Sequence, residues 1–458
     1  IPSEQIEGEV PETVYMLKPE QIAVNFGADN YTVVPSGTIW YNESDKDSFV
    51  KELGRFGPAE NILVKEITYA QYQEVKKYQS IWADFNYNIP ISDFCSNFKM
   101  QKPQSYDVIQ TVTAIGYSAA EGGKSLFIYD GRNHKYYRLV ADTNKGESET
   151  NHKDNTDFPA LIASIQAGGY NIYYPISSYT GVGNNTNTLV PFSVETNLRG
   201  FSFRQDTYSY QTEKISAMAE KFFGGNLDFT RRIVEDKGTI IYMYGYGQNV
   251  LIVNTDGSIE YKEEQIGNTE QSFSEALDTA VNYVASHGSW QSLDGAKLTP
   301  YLKDVIPDPD KEKGYRFIFG MEINGSRLFY EAGDPIVVDV TSGQVTYYKR
   351  NIIDFDQGDI EAIDTFSTKD AFSAVNLIAQ NCKYMYDILL QAGAVKATAD
   401  QDAMLEDISS LVNSMQIGYV KQADEEITEI QPAWIVSVND TDIYFDLYSA
   451  DPIGYSKE

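Results

Sequence analysis

Residues Gly314 to Arg350 read GYRFIFGMEINGSRLFYEAGDPIVVDVTSGQVTYYKR, and they predict four short strands. Tyr315, Phe317, Phe319, Met321 and Ile323 alternate with Arg316, Ile318, Gly320 and Glu322. That period of two sends the first set to one face of a sheet. Asn324-Gly325 follows, and the pair suits the positive-φ positions of a tight hairpin. The chain returns over Arg327 to Tyr330 and runs out again over Ile336 to Val340 after Asp334-Pro335. It then turns at Thr341-Ser342-Gly343-Gln344 into Val345 to Lys349. One face of such a sheet needs an apolar cover.

The cover is expected just upstream. Ser272 to His287 carries Phe273, Ala276, Leu277, Ala280, Val281, Val284 and Ala285 at helical spacing on one face. Ser272 with Glu275 makes a capping box, and Gly288 suits the position past the end.

The same order, a helix and then strands, is expected twice more. Tyr210 to Phe223 predicts a helix with Ile215, Met218, Ala219 and Phe222 on one face, ended by Gly224-Gly225. Strands Phe229 to Glu235, Thr239 to Gly245, Asn249 to Asn254 and Ser258 to Lys262 follow, the last after Asp256-Gly257. Further on, Lys369 to Ala392 predicts one long helix, with Ser367 or Asp370 to cap its start and Gly393 past its end. Gln401 to Asn413 predicts a second helix. Met415 to Gln422, Ile430 to Val438 and Ile443 to Leu447 predict strands, turning at Asn439-Asp440.

The first two hundred residues read as mixed helix and strand. Gln21 to Phe26, Tyr31 to Val34, Ile62 to Ile67, Phe85 to Ile89, Val108 to Tyr117, Leu126 to Tyr129, Lys135 to Val140 and Tyr170 to Ile176 are the expected strands. Lys46 to Phe56, Ala70 to Tyr78 and Phe158 to Gln166 are the expected helices. Pro90 is expected to stop its strand, and the polar run Asp142 to Thr156 reads as a mobile loop.

The fold class expected is therefore α+β and multidomain. Antiparallel sheets are each covered by helices, with repeated helix-then-four-strand units in the second half. At 458 residues the chain is too long for one core. We divide it into a tether at 1–14, an N-terminal α+β domain at 15–200, a middle helix-on-sheet domain at 201–352 and a C-terminal helix-on-sheet domain at 353–458.

The formal net charge is −30, so phosphate backbones and anionic membrane surfaces are repelled, and nucleic acid is not an expected partner. Cys95 and Cys382 have neither disulfide-framework nor metal-ligand spacing. No apolar run approaches the ~20 residues that span a bilayer. The opening Ile1-Pro2-Ser3-Glu4 lacks an initiator Met, which leads us to expect that an N-terminal anchor or signal preceded it. The 34 tyrosines suit β-rich architecture, or else a sticky extracellular surface.

No constellation of catalytic residues stands out. Gly122-Gly123-Lys124-Ser125 resembles the end of a phosphate-binding loop, but a strand follows where such a loop needs a helix. Asp308-Pro309-Asp310 and Asp354-Phe355-Asp356 fail the calcium-loop pattern at positions six and twelve. His134, His152 and His287 form no ligand pair, and none neighbours a nucleophile motif. His287 falls in the last turn of a helix, where the dipole favours a cation. Gly245-Tyr246-Gly247 reads as a tight turn. Tyr242, Tyr244 and Tyr246 alternate in phase and are expected on one sheet face. No catalytic, cofactor-binding or metal residues are therefore assigned, no cofactor is expected, and the partner-binding residues are unknown. Two further readings remain: an extracellular ligand-binding sensor with tyrosines in its pocket, and a wall-polymer enzyme with unidentified carboxylates ~5–9 Å apart.

Three stretches carry a family resemblance. The first is Phe222-Phe223-Gly224 followed by Asp228-Phe229-Thr230-Arg231-Arg232-Ile233. The second runs from Gly314-Tyr315-Arg316-Phe317 through Gly333-Asp334-Pro335-Ile336-Val337-Val338 to Gly343-Gln344-Val345-Thr346-Tyr347-Tyr348. The third is Ile430-Gln431-Pro432-Ala433-Trp434 with Tyr444-Phe445-Asp446. Together they resemble the YycH/YycI family, with length and order favouring YycH, and the closing Pro-Ala-Trp strand looks like a PepSY-type module. The resemblance is best over about 200–350 and 415–458 and loose in the front half. It implies a non-enzymatic regulator on the extracellular face of the cytoplasmic membrane of Gram-positive bacteria, anchored by an N-terminal transmembrane helix that this chain lacks. It implies as partners a YycI-like protein and the cell-wall-sensing histidine kinase of the WalK/WalR (YycG/YycF) two-component system. It brings no catalytic residues.

Overall fold

The computed structural model describes residues 10–41, 48–56, 62–122, 125–141, 157–180, 185, 187–196, 198–204, 212–255, 258–264, 269–288, 290, 298–307, 314–323, 325–351, 360–363, 369–422 and 427–456. The polar run 142–156, His152, the turn 256–257 and the two aspartate clusters at 308–310 and 354–356 lie outside them.

The front of the chain forms an antiparallel nine-stranded sheet. Its order is Ile62–Ile67, Lys135–Ala141, Ser125–Asp130, Thr111–Ser118, Ser80–Pro90, Gln21–Asn25, Tyr31–Val34, Tyr173–Pro175 and Leu189–Pro191. Burial on both sides of its central strands explains why alternation there is faint: Ser80–Asp84 is buried at almost every position. One face packs on an aromatic cluster around Trp40, whose ring lies 5.3 Å from those of Phe49, Phe85 and Phe98. The other is covered by helix Tyr69–Lys76, with Tyr72, Trp82 and Phe127 beneath it. Pro90 ends its strand from inside the ladder, opposite Thr111, where its missing N–H costs nothing at a terminus.

Among the described residues, fifteen strands form the larger sheet. Arg231–Val234, Ile240–Tyr244, Asn249–Val253 and Ile259–Glu263 make a meander that continues directly into Gln344–Arg350, Ile336–Thr341, Gly314–Ile323 and Leu298–Pro307. Helices Thr212–Phe223 and Phe273–His287 lie on one face of it. The second helix has the expected capping box and buries Phe273, Ala276, Leu277, Ala280, Val281 and Val284. The turn at Ser342-Gly343 has φ +52° and +82°, the left-handed pair that a two-residue hairpin demands.

The hairpin 323–326 departs from a simple meander. Ser326–Tyr330 pairs with only the last three residues of Gly314–Ile323, then leaves to lie parallel to Val412–Lys421, with Leu328 opposite Tyr419. The sheets are therefore antiparallel except for this pair among the described strands. From there the ladder runs on to Ile427–Val438, whose far edge pairs along its later residues with Thr441–Asp446, followed by Pro452–Tyr455, and along its first residues with Gly200–Arg204, followed by Ile360–Ile363.

The expected long helix at Lys369 to Ala392 is corrected in two respects. Lys369–Asp370 is a short strand paired with Glu195–Thr196. The helix begins at Ala374 and breaks at Asn381 into Ala374–Gln380 and Cys382–Gln391. Asn381 uses its side-chain amide to reach the carbonyls of Leu377 and Ala450, which compete with continued helix. Gly393 follows with φ +74°, as its place past the helix predicts.

Candidate functional site: a buried charge cluster at a three-way junction

The side chains that meet at the junction come from distant parts of the sequence. Lys18-Pro19-Glu20 leads into the first strand of the front sheet. Glu322 and Arg327 face each other across the 323–326 hairpin. Gln416 comes from strand Val412–Lys421.

Arg327 is buried. It pairs with the Glu20 carboxylate, donates to the Pro19 carbonyl at 3.4 Å and lies 4.6 Å over the Tyr301 ring. Glu20 also accepts from the Gln416 amide at 3.1 Å, and Lys18 Nζ reaches Glu322 at 2.9 Å. Glu20 thus touches residues from the front, middle and rear of the chain at once.

Gly320 shows how closely this region is packed. A Cβ there would sit 2.5 Å from the Tyr301 ring, so no larger residue fits while Tyr301 stacks on Arg327.

Beside this cluster a cavity of about 350 Å³ opens between the three parts. Lys303, on its wall, contacts Asp334 at 2.8 Å and Asp442 at 4.0 Å. Burial would lower the Lys303 pKa, but these two carboxylates outweigh it and hold the ammonium charged. Burial raises Asp442 despite Lys303 and a 2.6 Å hydrogen bond from Ser437. Burial likewise raises Asp304, whose hydrogen bond comes from the adjacent Val305 N–H at 2.7 Å. Three carboxylates around one ammonium leave an excess of negative charge next to a neutralised set of pairs.

Other ties hold the three parts together. The N–H of Ser274, in the first turn of helix Phe273–His287, donates to Asp93 at 2.9 Å, and Asn97 reaches Ser274 Oγ at 2.8 Å. Thr188 Oγ donates to the Val412 carbonyl at 2.7 Å.

The residues weighed from sequence are scattered. Cys95 and Cys382 are buried in separate clusters, and burial pushes the Cys95 thiol up to about 11. His287 sits in the last helical turn as expected, but it is not a favoured cation. Burial lowers its pKa, and its ring stacks on Tyr283 at 3.8 Å. His134 holds a hairpin turn with φ +53°. Ser125 begins a strand, not a helix. Tyr242 is buried against Phe223, whereas Tyr246 lies in the turn Gly245–Gly247 and is fully exposed, so the three tyrosines do not form one stripe. Among the described residues no cluster of His, Cys, Asp and Glu could hold a metal ion. No described helix is long and apolar enough to cross a membrane.

No protein-family model and no curated protein sequence matches the chain. A solved structure does. YycH from Bacillus subtilis superposes over 95% of this chain and 97% of its own, with a TM-score of 0.52 at 12% identity. The chain has a YycH-like fold. The likeness extends through the front half, where the sequence resemblance was loose. An uncharacterized protein from Eubacterium rectale covers 56% of this chain and 85% of its own at 12% identity, but its TM-score of 0.34 carries no argument.

Proposed function

We propose that this chain is a non-enzymatic extracellular regulator that modulates a cell-wall-sensing histidine kinase of the YycG/WalK kind by protein contact, together with a YycI-like partner. The likeness to YycH along 95% of the chain carries this reading. The family's anchor, an N-terminal transmembrane helix, would hold it on the outer face of the cytoplasmic membrane. The three parts tied through Glu20 suit a body that presents its surface as a unit, and the helix-covered antiparallel sheets suit a scaffold. Co-purification from crosslinked membranes of the native organism tests the reading. Enrichment of a sensor kinase and a YycI-like protein is expected, and enrichment of neither would overturn it.

The acidic junction cavity favours a second reading, a sensor of a small cationic or polar wall fragment. Equilibrium dialysis against soluble wall fragments, repeated with Asp442→Asn, tests it. Binding lost in the variant supports this role, and no binding to the unaltered chain removes it.

A further inference from the structure

Strand Arg231–Val234 is the outermost strand at one end of the fifteen-stranded sheet. Ile240–Tyr244 takes one of its edges, and among the described residues no strand takes the other. Its direction of hydrogen bonding follows from one contact. The Glu235 N–H donates to the Thr239 carbonyl at 2.9 Å, continuing the register in which 231 faces 243 and 233 faces 241. Antiparallel ladders alternate, so 231, 233 and 235 bond inward, and the backbone groups of Arg232 and Val234 point out of the free edge. All but Ile233 of the run 231–236 are exposed, and Val234 keeps 54% of its surface although it shares a face with buried Ile240 and Tyr242.

The charges along this run read plus, plus, neutral, neutral, minus, minus: Arg231, Arg232, Ile233, Val234, Glu235, Asp236. Edge protection alone needs only charge, of any one sign. A run whose two ends have opposite sign is complementary to its own antiparallel copy. We propose that this edge pairs antiparallel with the same strand of a second copy of this chain, about a two-fold axis at Ile233, joining the two large sheets into one.

The register is fixed by the pattern. Centred on Ile233, Arg231 lies opposite Glu235 of the second copy, and Arg232, opposite Val234, has Asp236 as its diagonal neighbour. Each contact occurs twice by symmetry. Phe229, exposed beyond the strand, falls opposite Lys237. Moving the axis to Arg232 sets Arg232 against itself; moving it to Val234 sets Arg232 against Asp236 but also Arg231 against Lys237 and Ile233 against Glu235. Intermediate positions would pair an outward-bonding residue with an inward-bonding one, which the ladder forbids. This inference is independent of the kinase reading, because it concerns two copies of this chain and no other protein.

Sedimentation velocity on the whole chain up to about 100 µM tests it. The unaltered chain is expected to show a monomer–dimer equilibrium that weakens with salt. Arg231→Glu/Arg232→Glu and Glu235→Arg/Asp236→Arg should each weaken dimerisation about tenfold or more, since like charges then face one another. Mixing the two variants in equal amounts should restore the dimer, because every cross-copy pair again has opposite charge. All four positions are exposed, and unchanged far-UV circular dichroism confirms that folding is intact. A monomer at every concentration overturns the proposal, as does a dimer indifferent to both variants. So does a mixture no more dimeric than its components.

Discussion

The two ends of strand Gly314–Ile323 are held by different physics. At its first end Phe317 and Phe319 lie under apolar cover, with Phe273 5.9 Å from Phe317 and Trp290 5.2 Å from Phe319. At its second end Glu322 is buried against Lys18, and across the hairpin Arg327 is buried against Glu20. The dry end is non-directional and needs only apolar volume on the correct face. The charged end needs particular partners, because a buried ion that loses its counter-ion keeps its full desolvation penalty. The dry end therefore holds one sheet to its cover, while the charged end fixes how three parts of the chain sit against one another.

The largest expected effect comes from breaking the dry end. Val281→Asp places an unpaired carboxylate under the sheet and should cost more than about 4 kcal/mol, enough to abolish cooperative thermal unfolding of this region. An unchanged melting temperature would show that the helix does not cover the sheet.

Next comes Arg327→Met at the charged end. Glu20, half-buried at the cavity wall, then keeps the Gln416 amide but loses its charged partner, and a loss of about 1–3 kcal/mol is expected in urea unfolding. Adding Glu20→Met should recover most of it, since an apolar pair of similar volume tolerates the site. At the dry end no second apolar-to-charged change would rescue Val281→Asp, and this contrast separates the two kinds of packing.

Gly320→Ala tests the boundary between them. The new methyl meets Tyr301, which Arg327 pins, so about 1–3 kcal/mol should be lost. Tyr301→Leu in the same chain should relieve part of that loss.

The smallest effect is on pH dependence. Asp304 and Asp442 have raised pKa values in the folded state, through burial. A raised carboxylate contributes stability that is fully present below its unfolded pKa and is lost as pH rises through the folded value. These two groups thus favour the folded state as pH falls towards the ordinary carboxylate value of about 4, opposite in sign to Glu275, which hydrogen bonds from Ser272 lower. Asp304→Asn/Asp442→Asn should remove that gain, so that the melting temperature falls further on acidification than in the unaltered chain, and an unchanged profile would show that the two carboxyls titrate normally.

The dry end was legible in the sequence and the charged end was not. Alternation over Tyr315 to Ile323, the capping box at Ser272 and Glu275, and the turns at Gly325, Gly343 and Asn439 are local signals, and each carries its own geometry. Lys18 and Glu322 are 304 positions apart, and Glu20 and Arg327 are 307 apart, so no spacing announces either pair. In a strand, Glu322 and Arg327 read as solvent-facing polar positions. What covers that face is the front segment Lys18-Pro19-Glu20, more than 300 positions away. The helix break at Asn381 was missed for a similar reason: one of its two acceptors, Ala450, lies 69 residues away.

The claim that this molecule works by touching a kinase is most directly tested by the autophosphorylation rate of the YycG/WalK-like sensor kinase of the same organism. It should be measured in proteoliposomes with and without this chain and a YycI-like protein. The account predicts a several-fold change in rate that disappears when the regulator is omitted. A rate unaffected by the complete set of proteins, with all three shown to be folded, would contradict it.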